Sequence, residues 1–141
     1  MVAVIKSSSS ISNTLYYIEN KAKQKVAEFI HSSGFIKDTE KLTFNDKIKH
    51  LKKLAQLNQQ TKLNTVHISL NFDPSEKLPV DTLKQIADTY MDRIGFGKQP
   101  YLVYQHHDSG HPHLHIVTTN IQHNGKRISM QNIGCNQSEK A

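Results

Sequence analysis

The stretch Gln105-His106-His107-Asp108-Ser109-Gly110-His111-Pro112-His113-Leu114-His115-Ile116-Val117 decides how this chain folds and what it can hold. It carries five of the nine histidines and runs into an apolar, β-branched segment. A strand over 113–119 sets His113, His115, Val117 and Thr119 on one face and Leu114, Ile116 and Thr118 on the other, because side chains alternate across a strand. Tyr101-Leu102-Val103-Tyr104 reads as the strand before it, with Leu102, Tyr104 and His106 of one parity. Asp108-Ser109-Gly110 has turn chemistry. The pattern therefore predicts a hairpin that folds His106 back beside His113 and His115. Three imidazoles with coordination positions left over make a catalytic-type metal site. A lone strand histidine is ordinarily structural or solvated, but a cluster this dense, with an aspartate inside it, reads as a metal centre.

Outward from the hairpin, Val66-His67-Ile68-Ser69-Leu70-Asn71-Phe72 alternates cleanly. It predicts a strand with Val66, Ile68, Leu70 and Phe72 on a core and His67, Ser69 and Asn71 on a polar face. Pro79 and Asp81 open a helix with Leu83, Ile86, Ala87, Tyr90 and Ile94 as its buried stripe, and Gly95 suits the residue just past its end. After the hairpin, Asn124-Gly125 is a turn pair, and Lys126-Arg127-Ile128-Ser129-Met130 reads as a last, exposed strand.

Toward the N-terminus, Val2-Ala3-Val4-Ile5 reads as an opening strand, followed by a polar loop with Ser12 or Asn13 as helix cap. Leu15, Ile18, Ala22, Val26, Phe29 and Ile30 recur at helical spacing, predicting one helix to about His31, with residues 32–43 as a loop. On that helix Tyr17 lies nearly opposite the stripe with Lys21 one turn on, and Tyr16 lies nearer its edge. Thr43-Phe44-Asn45-Asp46 resembles a capping box for a second helix over about 45–60. Its stripe is Ile48, Leu51, Leu54 and Ala55, with Lys47, Lys49, Lys52 and Lys53 crowding the remaining surface. The expected architecture is α+β: a central antiparallel sheet with helices on one face and an open, polar face carrying the histidines.

The 141 residues suit a single domain, and the unclosed pattern beyond Asn132 suggests one truncated at its C-terminus. Eighteen Lys and Arg against 12 Asp and Glu give a formal charge of +6, which favours a polyanionic partner. The one cysteine, Cys135, excludes an internal disulfide framework. No secretory core and no apolar run approaching the ~20 residues of a membrane span is present. A cytoplasmic location is the simplest expectation.

Taken together, the motifs resemble those of plasmid mobilisation relaxases of the P-type group, single-strand DNA endonucleases of the HUH superfamily. His106 through His115 resembles their third motif. Leu15-Tyr16-Tyr17-Ile18-Glu19-Asn20-Lys21, after Val2-Ala3-Val4-Ile5-Lys6, is similar to the motif with the nucleophilic tyrosine. His67 through Phe72, with Asp73-Pro74-Ser75-Glu76, resembles the segment between. The resemblance implies nicking at a transfer origin for conjugative mobilisation, through a tyrosine transesterification that leaves a 5′-phosphotyrosyl link. It makes Tyr17, with Tyr16 adjacent, the nucleophile candidate. His106, His113 and His115 would hold Mg²⁺ or Mn²⁺, and Asp108 would orient a liganding histidine or help take the tyrosine proton. Lys21, His67, Ser69, Asn71, Lys126 and Arg127 are the expected DNA contacts. Relaxosome accessory proteins and a coupling protein are possible partners.

Two other readings fit parts of the chain. His111-Pro112-His113-Leu114-His115-Ile116-Val117 has the spacing of histidine-triad nucleotide hydrolases and transferases, but Pro112 is awkward there and that reading gives His106, Asp108 and the tyrosine helix no role. A non-catalytic basic DNA-binding accessory protein with a structural metal is the other, and a closed zinc site usually wants cysteine ligands.

Overall fold

The computed structural model describes residues 1–106 and 113–129. Five strands, three helices and one short 3₁₀ turn follow one another: β1 (Val2–Ser8), α1 (Ile11–Lys23), β2 (Ala27–Ser33), the 3₁₀ turn Thr39–Lys41, α2 (Phe44–Ala55), β3 (Thr65–Asn71), α3 (Val80–Arg93), β4 (Tyr101–His106) and β5 (His113–Thr119). The strands form one sheet in the order β1-β3-β5-β4-β2, and every neighbouring pair is antiparallel. The α+β class and the antiparallel sheet follow the sequence pattern. The turn Asp108–Gly110 and Met130 lie outside the described residues.

The helices cover both faces of the sheet, not one. Val66, Ile68, Leu70, Tyr101, Val103, Leu114 and Ile116 pack with Leu83, Ala87, Tyr90 and Met91 of α3. Leu102, Tyr104 and Val117, of the opposite parity, pack with Ile11, Leu15 and Ile18 of α1 and Leu51 and Ala55 of α2. Tyr101 to Tyr104 are all buried, as a strand enclosed on both faces must be. The polar positions His67, Ser69 and Asn71 suggested an open face. They share that face with the apolar residues on which α1 and α2 sit, so the face is covered rather than open, and His106 and His113 on it are buried.

The first helix is shorter than its apolar spacing predicts. Its N-cap is Ser10, whose hydroxyl accepts from the Asn13 amide. It ends at Lys23, where the amides of Lys25 and Val26 bond back to the carbonyls of Ala22 and Lys21, and Lys25 adopts φ 62°. This double closure stops a helix and reverses the chain. Residues 27–33 then form β2, an edge strand paired to β4. Phe29 and Ile30, both assigned to the helical stripe, go to opposite faces: Phe29 against the α1/α2 core and Ile30 against the α3 core. Gly34 therefore follows a strand, with φ +80°, and an added Cβ would lie 2.9 Å from Pro100 Cα.

Other elements follow their signals closely. Thr43 and Asp46 form the expected reciprocal capping box of α2, which stops at Ala55. Gly95 occupies the left-handed position past α3, with the amides of Gly95 and Phe96 bonded to Asp92 and Met91 carbonyls. After β5 the chain turns through Asn124-Gly125, and among the described residues its return forms the isolated bridge Ile121↔Arg127 rather than a paired strand. No helix among the described residues is long and apolar enough to cross a membrane.

Candidate metal centre and nucleic-acid interface

The antiparallel register of β4 and β5 builds the histidine cluster. His106 is opposite His113, and Tyr104 is opposite His115, so three imidazoles of one parity meet at the end of two neighbouring central strands. One ligand-type nitrogen from each of His106, His113 and His115 lies within 4.8 Å of the other two. The rings of His106 and His115 stack at 3.7 Å between centroids, and His113 meets both edge-on at 5.1 and 5.0 Å. His106 and His113 are buried, and His115 is half-buried. Three imidazoles from a rigid sheet suit a divalent transition-type cation, and they leave positions for water or phosphate oxygens. The expected ligand trio is brought together.

A fourth histidine joins the trio from β3. His115 is opposite Ser69, and the next residue on that face of β3, His67, places its Nε2 against Nδ1 of His115. The two rings lie nearly parallel, 4.6 Å apart. Burial first, and then the charge of Lys6 across the β1/β3 pair, push the His67 pKa below its ordinary value and favour its neutral form. Ser69 and Asn71 line the same face, half-buried, and the Asn71 amide donates to the Val2 carbonyl at 3.3 Å.

Helix α1 lies over the histidine-bearing face. It starts beside Ser8, which pairs with Thr65 at the Thr119 end of the sheet. It leads to Ala27, which pairs with His106 at the histidine end. Leu15 and Ile18 hold it down, and Tyr16 and Tyr17 remain 62% and 59% exposed. The wheel distinguished the two tyrosines, yet their exposures are nearly equal. Their neighbours separate them: Tyr16 packs against Phe44 with 4.8 Å between ring centroids, whereas Lys21 Nζ sits 5.2 Å from the Tyr17 ring centre. Both tyrosines border a cleft of about 650 Å³ with Glu19, Asn20, Ala22, Lys23 and Phe44.

Beneath this helix lies a charged group that the sequence reading missed. Lys47, expected on a solvated face, is only 4% exposed. Its Nζ donates to Glu19 Oε1 at 2.8 Å and to the Tyr104 hydroxyl at 3.1 Å, and lies 3.8 Å from the centre of the Phe29 ring. Burial, followed by the Glu19 carboxylate, drives the Tyr104 phenol far above its ordinary pKa and keeps it protonated. The signal was available: Lys47 stands four and seven residues before Leu51 and Leu54, on the buried stripe itself. Lys126 and Arg127, expected to touch DNA, are exposed beyond the Thr119 end of β5, away from the histidines. Asp108 lies outside the described residues.

This sheet order, with an imidazole trio on its central strands and a tyrosine-bearing helix across the same face, is consistent with the HUH class of nucleases. Residues 17–141 match the family model for relaxases, MobA/VirD2-like, nuclease domain, and the chain belongs to that family. No curated protein matches it. Membership makes the chain a DNA-nicking type of nuclease domain, with single-stranded DNA at an origin as its implied ligand and a metal at the histidines as its implied cofactor.

Proposed function

We propose that this chain cuts one strand of DNA at a transfer origin by tyrosine transesterification, and so starts the mobilisation of a plasmid or integrative element from the cytoplasm. The observation that carries the reading is the imidazole trio on the sheet face crossed by α1, the helix of Tyr17. Tyr17 Oη attacks the scissile phosphorus and forms the phosphotyrosyl bond at the 5′ side. The bond from phosphorus to the 3′ oxygen breaks, the phenol proton passes to a base, and the 3′ oxygen is released as a hydroxyl. One phosphoester replaces another, so the nick conserves the energy needed to reseal it.

His106, His113 and His115 hold the cation in this reading. Mg²⁺ or Mn²⁺ held there would supply charge neutralisation at the scissile phosphate as the phenol attacks. Asp108 orients a liganding histidine. Lys21, His67, Ser69 and Asn71 line the strand's path, and Lys126 and Arg127 meet the backbone farther away. Accessory proteins and a coupling protein complete the assembly.

Covalent capture tests the reading. The chain is incubated with Mn²⁺ or Mg²⁺ and single-stranded oligonucleotides tiled across the DNA flanking its gene. An SDS-resistant adduct is expected from the wild type and from Tyr16→Phe, and none from Tyr17→Phe. An adduct that persists in Tyr17→Phe, or none from the wild type with either metal, overturns it.

A further inference from the structure

From the aromatic corner between α1 and α2 we infer a binding site for one unpaired nucleobase of the DNA strand, with Tyr16 as its stacking platform. The inference rests on the nuclease reading and gives Tyr16 a role separate from chemistry. Tyr16 is 62% exposed although it is a large aromatic side chain on a helix that buries Ile11, Leu15 and Ile18. It is nonetheless held in place. Phe44 packs against it with 4.8 Å between centroids and an interplanar angle of 55°. Phe44 is itself fixed as the first residue of α2, directly after the Thr43 cap, and it packs against the α1/α2 core. A supported aromatic face open to solvent is what stacking on a base requires, since every base has a π face and the contact is indifferent to sequence.

The surroundings fit a nucleotide better than an apolar partner. The cleft of about 650 Å³ beside the ring is bordered by Tyr17, Asn20 and Lys23 as well as Phe44. Lys23, exposed at the cleft, offers a cation to a phosphate backbone. Among the described residues the one carboxylate bordering the cleft, Glu19, is paired with Lys47 Nζ at 2.8 Å. Tyr17 is the next residue in the chain, so a base held on Tyr16 belongs to a nucleotide near the scissile phosphate. The corner would anchor the strand while the phosphate is presented to the neighbouring phenol.

Binding of oligo-dT, and of a strand with the same backbone but no bases, separates stacking from charge. Base–aromatic stacking lost by alanine substitution corresponds to roughly 5- to 150-fold in Kd. Tyr16→Ala is expected to weaken oligo-dT binding within that range and to leave the abasic strand unchanged. Tyr16→Phe keeps the ring and should bind like the wild type, and thermal melting confirms that both variants fold. Unchanged oligo-dT affinity in Tyr16→Ala overturns the inference while leaving the nuclease reading intact. Equal losses on both strands overturn it too, since the contact is then with the backbone. Self-association that depends on Tyr16, seen in sedimentation, assigns the corner to a second copy and also overturns it. A wild-type chain that binds neither strand removes both readings.

Discussion

His67 on β3 places its Nε2 against the Nδ1 of His115 on β5, so one member of the imidazole trio is held by a histidine that is not part of it. The arrangement that leaves His115 a ligand has its Nδ1–H donated to His67 Nε2, so that the His115 Nε2 is the coordinating nitrogen. Such partners orient metal ligands and tune their basicity. His67→Phe is expected to weaken Mn²⁺ binding about 10- to 100-fold in calorimetry, while the ¹⁵N shifts of His115 in the metal-free protein move toward a mixture of tautomers. Wild-type affinity in the variant would show that the contact orients nothing.

Lys47 joins α2 to α1 and to the sheet through Glu19 and Tyr104, at 2.8 and 3.1 Å. Removing one partner of a buried ion pair leaves the other desolvated and uncompensated, at about 3 kcal/mol. Lys47→Ala should lose about that much in urea unfolding. The double variant Lys47→Met with Glu19→Gln should recover much of it, because the stranded charge is gone as well. If the double variant is no more stable than Lys47→Ala, lost packing around the lysine stem is the dominant effect and the pairing argument fails.

Acid should weaken the fold in two separate windows. Burial first, with help from the charges of His123 and Lys53, holds His50 below its ordinary pKa of 6.5, against the opposing Gly34 carbonyl. The unfolded chain then takes up protons that folded His50 and His67 resist. Their contribution is complete above about pH 6.5 and is lost as the pH falls through the lowered folded values. Asp46 acts lower: the Thr43 amide first, and then Lys37, bring its pKa from 3.8 to about 2. That contribution is present above the unfolded value and disappears as the pH falls toward 2. Melting curves across the range should show both declines, with His50→Gln flattening the first and Asp46→Asn the second. A melting temperature that does not change between neutral and mildly acid pH would contradict the first assignment.

The histidine site was legible because strand parity is a local property. Once 101–106 and 113–119 are strands, a hairpin register sets His106, His113 and His115 on one face. The capping box of Thr43 and Asp46 and the glycine past α3 were legible for the same reason. Properties that depend on distant partners were not. Residues 27–33 are a strand because β4 offers an open edge and both cores need a side chain there, and neither fact is written near Phe29 or Ile30. Lys47 divides between the two cases: its place on the α2 stripe was readable from its spacing to Leu51 and Leu54, but its partners Glu19 and Tyr104 come from other elements. Spacing alone allowed one long helix, and nothing at its true end looked like a stop.

That missing stop gives the last prediction. Lys25 holds the left-handed position past α1, with φ 62°, where Gly95 stands at the equivalent place past α3. A residue with a Cβ meets its own carbonyl in this region at roughly 1–2 kcal/mol, and glycine avoids the contact. The greater freedom of glycine in the unfolded chain offsets part of that gain. Lys25→Gly is therefore expected to raise stability by about 0.5–1 kcal/mol in urea unfolding, with the m-value unchanged. The strand pairing of β2 and the metal affinity should stay as they are, since the Lys25 side chain is exposed and its backbone bonds are kept. If the variant is destabilised instead, the lysine side chain contributes more at this turn than its conformation costs.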